Sequence, residues 1–423
     1  MKVLLAHFQI QDWGGIVNYS EFLARGLKSQ GHEVESVMLK NKGKTGIPKV
    51  KDRSGTQGWE FGSGLGLWMH QKSGWEGMYN LNYVADVAEG EDWASDYDLV
   101  IYIVPVPTCS KATKGDEDWL RLFGNTSAKQ LAVVHDGNMQ KLYPHLLEVC
   151  DRLDGIVCVH DASFNSCDVL PIRRAFIPNP HEYDPLCDIT PMSERTDGFV
   201  SMQTFKRWKR VDDLVRAIPH MDDFHEKIVC GGGIEYHYMT SVNKCKPEYM
   251  DKDGNKIWDN ALEAGMDFRG YITTAERDTV LQDVKLLIDP SWSLKYSELG
   301  AHFNRVMVEA MSWGCVPVCT DLGMKNSMLF EAGVNYIEVP YNSNPVEYAN
   351  YIDNALADNE LLTTIQQNNL KLIEMFDKEV IAKSIIDFAF GNGDWPHGET
   401  VCGELTEKLK ADAKRKMEHF EDF

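Results

Sequence analysis

The sequence predicts an α/β protein built from two Rossmann-like domains, and three observations predict it. Continuous apolar runs such as DYDLVIYIVPVP (96–107), KQLAVVHDG (129–137), EKIVCGGG and VKLLIDPS suit parallel strands covered on both faces. Segments of helical periodicity alternate with those runs, beginning with IVNYSEFLARGLKSQGHEV, where Val17, Phe22, Leu23 and Leu27 recur at helical spacing. The alternation then starts again after the Pro-rich stretch IPNPHEYDPLCDITPM, and 423 residues exceed what one ordinary core accommodates.

In order, KVLLAHF reads as the first strand, QDWGG as a glycine-containing loop, and the segment after it as the first helix, with Gly31 as its C-cap and Val34 to Leu39 as the second strand. This is a βαβ opening with a right-handed crossover. Residues 41–95 are rich in Gly, Lys and Trp with weak periodicity, which predicts an irregular insertion. The strands at 96–107 and 129–137, a helix near 139–150, and the strands DGIVCVH and AFIPNP complete a first domain over 1–180. A second domain over 190–385 repeats the pattern: GFVSMQ, the helix VDDLVRAIPHM, EKIVCGGG, DFRGYI, VKLLIDPS, VPVCTD and YIEVP. Residues 236–260 break that pattern around a DG pair and read as a loop or hairpin. Residues 386–423, ending in TEKLKADAKRKMEHFEDF, read as a solvated helical tail that packs back on the first domain.

Composition narrows the function classes. The N-terminal apolar run is interrupted by His7, Gln9, Gln11 and Asp12, and no run reaches the eighteen apolar residues of a membrane span, so a soluble, cytoplasmic protein is expected. The ten cysteines form no C-x-x-C pair, and several lie in strand-like runs where Cys acts as a small hydrophobe, which favours a reducing compartment over a zinc site. A net charge of −21 opposes a surface generally coated by nucleic acid, although KRWKR (206–210) shows that positive charge is concentrated locally.

Three constellations carry the chemistry. Gly14 and Gly15, between the first strand and first helix, let backbone approach a ligand beside unpaired helix amides; taken alone, a plain tight turn explains them better. TFKRWKRVDDLVRAI (204–218) follows the second domain's first strand, at the strand end where α/β folds bind ligands, and its permanent positive charge suits a diphosphate leaving group. In SELGAHFNRVMVEAMSWGCVPVCTD (297–321), a helix beginning near Phe303 places Asn304, Arg305 and Val306 in its first turn, with amides for phosphate, and Glu309 where a carboxylate accepts from a ribose diol. Two metal readings fail. Asp116-Glu117-Asp118 precedes a helical pattern and is better read as helix capping, and DKDGNK (251–256) has its glycine at the wrong position for a calcium loop and reads as a turn.

GGIVNYSEFLARGLKSQGHEV, DGIVCVHDASFN, FIPNP, the K-R-x-D-D-L-x-R-A-I stretch, FRGYI and VEAMSWGCVPV together resemble the family 4 glycosyltransferases, in the family's order and over most of the chain outside the two irregular segments. The resemblance implies a GT-B fold with a nucleotide-sugar cleft between its domains, a nucleotide-sugar co-substrate (UDP-sugar favoured), retention of anomeric configuration, and no essential metal or other cofactor. It implies that Lys209 holds the diphosphate, that Glu309 is the second glutamate of an E-x7-E pair holding the ribose, that the nucleobase is met near Gly270 to Tyr271 and Ile272, and that His135 lies near the transferred sugar, with Asp136 touching the acceptor. Two positions depart from the pattern. Thr204 stands where arginine is usual, so Lys206 or Arg207 replaces its charge, and Ala301 stands where the first glutamate is usual.

The Trp208-Lys209 and His135-Asp136 pairs, with the altered E-x7-E, are similar to the α-glucosyltransferases that modify hydroxymethylated bases in tailed-phage DNA. That branch predicts a duplex-DNA acceptor, a basic groove from the insertion carrying KNKGKTGIPKVKDR, and residence in a host cytoplasm. The alternatives are an enzyme acting on a glycan or small molecule, and, from another class, a non-catalytic nucleotide-sugar binder.

Overall fold

The structure is a computed structural model that describes residues 1–7, 15–39, 81–84, 92, 94–104, 126–135, 152–167, 170–182, 188–241, 244–292, 301 and 303–391. The chain divides into two compact units, Met1–Glu182 with Phe376–Phe423, and Tyr183–Met375. The first crossing lies inside the Pro-rich stretch, as the composition suggests.

The first unit contains β1 (Lys2–His7), α1 (Gly15–Ser29), β2 (Glu33–Leu39), β3 (Leu81–Val84), β4 (Leu99–Val104), β5 (Lys129–Val134), β6 (Gly155–Cys158), α2 (Asp161–Ser166) and β7 (Arg174–Phe176). The second runs through β8 (Thr196–Thr204), α3 (Val211–Ala217), β9 (Glu226–Gly232), α4 (Ile234–Thr240), α5 (Ile257–Glu263), β10 (Met266–Gly270), α6 (Thr274–Asp283), β11 (Val284–Asp289), α7 (Arg305–Ser312), β12 (Val316–Thr320), β13 (Ile337–Val339), α8 (Pro345–Ala357) and α9 (Asn359–Leu372). The chain then returns to the first unit as α10 (Lys378–Phe390).

Both sheets are parallel throughout. The first has the order β3-β2-β1-β4-β5-β6-β7 and the second β10-β9-β8-β11-β12-β13. Each therefore winds outward from its first strand and reverses once, the doubly wound order in which ligands bind beyond the strand ends at the reversal. In the second sheet that point lies between β8 and β11.

Three expectations change in detail. The second domain ends before 385, because α10 belongs to the first unit: Ile381, Ile385 and Phe388 join Leu23, Leu27, Val133 and Val157 in one core. Gly26 allows α1 and α10 to meet, since a Cβ there would lie 2.1 Å from the Lys378 carbonyl oxygen. Residues 41–95 are not wholly irregular, because Leu81–Val84 forms β3 and pairs in parallel with β2, Ser36 opposite Leu81. Four residues are too short a run to show a period. Residues 236–260 are not simply a loop, because α4 and α5 flank a turn closed by an antiparallel bridge between Met250 and Lys256. Tyr249, Ile257 and Trp258 from this segment are buried in the second core.

The DKDGNK segment is a turn, as read. The Asp251 carboxylate accepts from the amides of Asp253 (2.9 Å) and Asn255 (2.8 Å) and from Asn260 Nδ2 (2.8 Å), so its oxygens serve the turn itself. The acidic triplet 116–118, the helix near 139–150, the basic run of the insertion and the tail beyond 391 lie outside the described residues. Among the described residues, no helix is long and apolar enough to cross a membrane, and all six cysteines are free thiols.

Candidate active site

The second sheet's reversal point is built by four side chains. Gln203, near the end of β8, donates through Nε2 to Asp289 Oδ1, at the end of β11, at 2.7 Å. The Ser291 amide donates to the same oxygen at 3.0 Å. The other carboxylate oxygen accepts from Asn304 Nδ2, and the carbonyl oxygen of Asn304 accepts from Lys209 Nζ. Each polar group thus meets a complementary one, the condition for burying a charged network.

Lys209 closes the 3-10 turn Arg207–Lys209 and is only 7% exposed, with its ammonium 4.1 Å from the centre of the Trp208 ring. Burial lowers its pKa to about 8; the nearby Asp289 charge acts in the opposite direction, and Lys206 reinforces the lowering. A buried cation near neutrality is poised to meet an anion without competing with a full hydration shell.

Asn304 is the residue that turns the chain into α7. Its backbone is extended, and its side chain makes no bond to the helix amides because Lys209 and Asp289 engage it. The helix therefore begins at Arg305, two residues after the expected Phe303, with Asn304 as its cap rather than in its first turn. Arg305 and Val306 open the helix, and their amides lie at its positive end.

One turn further, Glu309 is buried between two arginines. Arg305 Nη2 lies 2.9 Å from its Oε1, and Arg277 Nη1 on α6 lies 3.2 Å from its Oε2. Two of the roughly four lone-pair directions of the carboxylate are thereby used, and the rest can accept from a diol. Ala301, where the family places a first glutamate, is fully buried.

The remaining expected residues lie on the rim. Thr204 ends β8 and is exposed, as are Lys206 and Arg207 beyond it. Tyr271 follows β10 with 57% of its surface exposed, and Ile272 beside it is half-buried. A Cβ on Gly232 would fall 3.1–3.3 Å from the Tyr271 ring, so this tyrosine lies over the triple glycine that ends β9. Gly231 and Gly233 have φ of 125° and 150°, and a Cβ on either would strike carbonyl oxygens of Gln203 or Phe205.

In the first unit, Gly15 begins α1, and His135 follows β5 with its ring edge-on to Tyr19 (centroids 4.6 Å apart) and its carbonyl 3.0 Å from His160 Nε2. Gly14 and Asp136 lie outside the described residues. The structure thus brings Lys209 to Asn304 and Arg305 to Glu309, while His135 belongs to the other unit. Sequence reasoning missed Gln203, Asp289, Ser291, Arg277 and the glycines 231–233. The readable signal was position: Gln203, Asp289 and Gly231 each fall at the carboxyl end of a predicted strand.

Solved structures share this architecture over nearly the whole chain. HepE from Anabaena in complex with UDP has a TM-score of 0.62 at 15% identity, covering 92% of this chain and 100% of that one. The fold is GT-B. Two further GT-B likenesses are a sucrose-phosphate synthase from Thermosynechococcus elongatus (TM-score 0.56, 14% identity, 92% and 98% covered) and the lipopolysaccharide outer core galactosyltransferase WaaB (TM-score 0.58, 12% identity, 92% and 99% covered). Residues 190–372, which carry the whole Lys209–Asn304–Asp289 network and Glu309, match the family model Glycosyl transferases group 1. No curated protein sequence matches the chain.

Proposed function

We propose that the chain is a retaining glycosyltransferase that takes its sugar from a UDP-sugar. The observation that carries this reading is the buried Lys209, held by Asn304 and Asp289 at the reversal point of the sheet that matches the glycosyltransferase model. UDP is the favoured nucleotide because HepE is seen with UDP and with UDP-glucose.

On this reading the α- and β-phosphates lie against Lys209 and the first-turn amides of Arg305 and Val306, with Lys206 and Arg207 adding charge from the rim. Glu309 accepts from the ribose hydroxyls, and Tyr271 and Ile272 border the base. The sugar C1–O bond breaks with its electron pair leaving on the diphosphate. An acceptor hydroxyl forms the new C1–O bond on the same face, and its proton passes to the departing phosphate oxygen, so the step balances without a side-chain base. His135 orients the sugar, Asp136 addresses the acceptor, and no metal is required.

Two acceptors rest on different observations. The Trp208-Lys209 and His135-Asp136 pairs with Ala301 favour a hydroxymethylated base in duplex DNA. The net charge of −21 favours a glycan or small molecule. Thermal shift with UDP-, GDP- and ADP-sugars identifies the donor, and labelled-sugar transfer to hydroxymethylated and unmodified duplex DNA assigns the acceptor. Stabilisation by a UDP-sugar with label on modified DNA supports the first acceptor; stabilisation and donor hydrolysis without DNA label support the second. Stabilisation by a donor with no turnover leaves a binder, and no stabilisation by any donor overturns the proposal.

A further inference from the structure

We propose that Asp222, His225 and Asp353 form a structural site for one zinc ion at the amino-terminal end of the second sheet. His225 immediately precedes β9, Asp222 lies in the turn after the 3-10 segment Ile218–His220, and Asp353 lies on α8. His225 Nε2 is 3.4 Å from Asp353 Oδ1 and 4.0 Å from Asp222 Oδ2, and one ligand atom from each residue lies within 4.8 Å of the others. Zinc bonds of about 2.1 Å in tetrahedral geometry place two ligand atoms about 3.4 Å apart, the spacing of the histidine and Asp353.

The second observation is burial. His225 is 8% exposed, and among the described residues neither ring nitrogen nor Asp353 Oδ1 has a hydrogen-bond partner. Leaving a nitrogen and a carboxylate oxygen buried without bonds is costly, and one cation between them satisfies both. The local charge agrees. Asp222, Asp223 and Asp353 all act on the Lys227 ammonium, whose Nζ donates to the Ala264 carbonyl at 3.1 Å. Three carboxylates and one ammonium sum to −2, which a divalent ion cancels. Imidazole with carboxylates suits zinc better than the all-oxygen sets of magnesium or calcium.

The site is separate from the donor residues. The strands are parallel, so His225 marks the end of the sheet opposite the one formed by Gly231–Gly233, Asp289 and Lys209. Its role is to tie α8 to the crossover entering β9 through three protein ligands, leaving one tetrahedral position for water.

The test uses the full chain stripped with a chelator and then titrated with zinc, read by native mass spectrometry and thermal shift. One zinc per chain and a rise in Tm of several degrees are expected. H225A and D353N should each weaken binding at least tenfold. D222N, at an exposed residue, should keep the fold and still weaken binding, which covers the case where a buried variant fails to fold. If the folded protein takes up no zinc, His225 and the aspartates form an ion pair instead and the proposal is overturned. Zinc uptake that D222N and H225A leave unchanged overturns it as well, by placing the ion elsewhere.

Discussion

Gln203 and Asp289 clasp the second sheet at its reversal point, Nε2 to Oδ1 at 2.7 Å, and the far oxygen of that carboxylate holds Asn304 against Lys209. Asp289 therefore reaches the proposed diphosphate site through a neighbour. In D289A the buried Gln203 amide and the Ser291 amide lose their acceptor, which costs about 1–3 kcal/mol by urea unfolding. UDP affinity should fall about tenfold or more as Asn304 and Lys209 lose their placement. Unchanged UDP affinity in folded D289A would show that Lys209 needs no such support.

Lys209 gives a pH dependence whose sign is fixed. Its pKa is lowered to about 8, so in the free protein it is charged below that pH and loses its charge as pH rises through it. UDP affinity should be steady up to about pH 7.5 and then weaken, by at most about tenfold per pH unit, since one proton is linked to binding. In K209R, where the guanidinium stays protonated, the profile should be flat over the same range. Isothermal titration from pH 6.5 to 9.5 reads both, and a steep fall retained in K209R assigns the titration to another group.

For Glu309, the prediction separates the ribose from the two arginines. UDP should bind about tenfold more tightly than its 2′-deoxy form, because a hydrogen bond to a charged partner contributes about 1.5–3 kcal/mol where desolvated. In E309Q that preference should shrink to less than about threefold. Loss of overall affinity with the preference intact would assign Glu309 to holding Arg277 and Arg305 only.

Arg195 carries a prediction about stability alone. Buried, it donates to the carbonyls of Thr190 (2.9 Å), Leu281 (2.9 Å), Val284 (2.8 Å) and Trp313, joining the ends of α6 and α7 to the strand that begins the second unit. R195M removes the charged donor from all four carbonyls, although Thr190 keeps Gln366 Nε2 (3.2 Å) and Leu281 and Val284 keep the Cys315 thiol (3.0 and 3.4 Å). It should cost about 1–3 kcal/mol by denaturant unfolding. A loss below about 1 kcal/mol would mean that water replaces the guanidinium.

The layers of the fold were legible because continuous apolar runs leave little choice but parallel strands, and the placement of Lys209 after β8 and of Glu309 on α7 was legible through motifs with fixed spacing. Asp289 was not, because an aspartate ending a strand has the same local pattern whether it caps a turn or organises a site. Only the order β9-β8-β11 brings it to Gln203, 86 residues away along the chain. The return of α10 was hidden for a similar reason: Ile381, Ile385 and Phe388 mark a buried helix face without saying which sheet covers it. Asn304 illustrates a third limit, since its residue type predicts a helix cap and its side chain serves a lysine 95 residues earlier.

The central claim is tested most directly by measuring UDP release from UDP-glucose by the full chain and by K209A, alongside UDP binding. The account predicts measurable release by the wild-type chain, at least a hundredfold loss in K209A, and a folded variant by circular dichroism. UDP release that K209A leaves unchanged would contradict it, as would a chain that neither binds UDP nor consumes UDP-glucose.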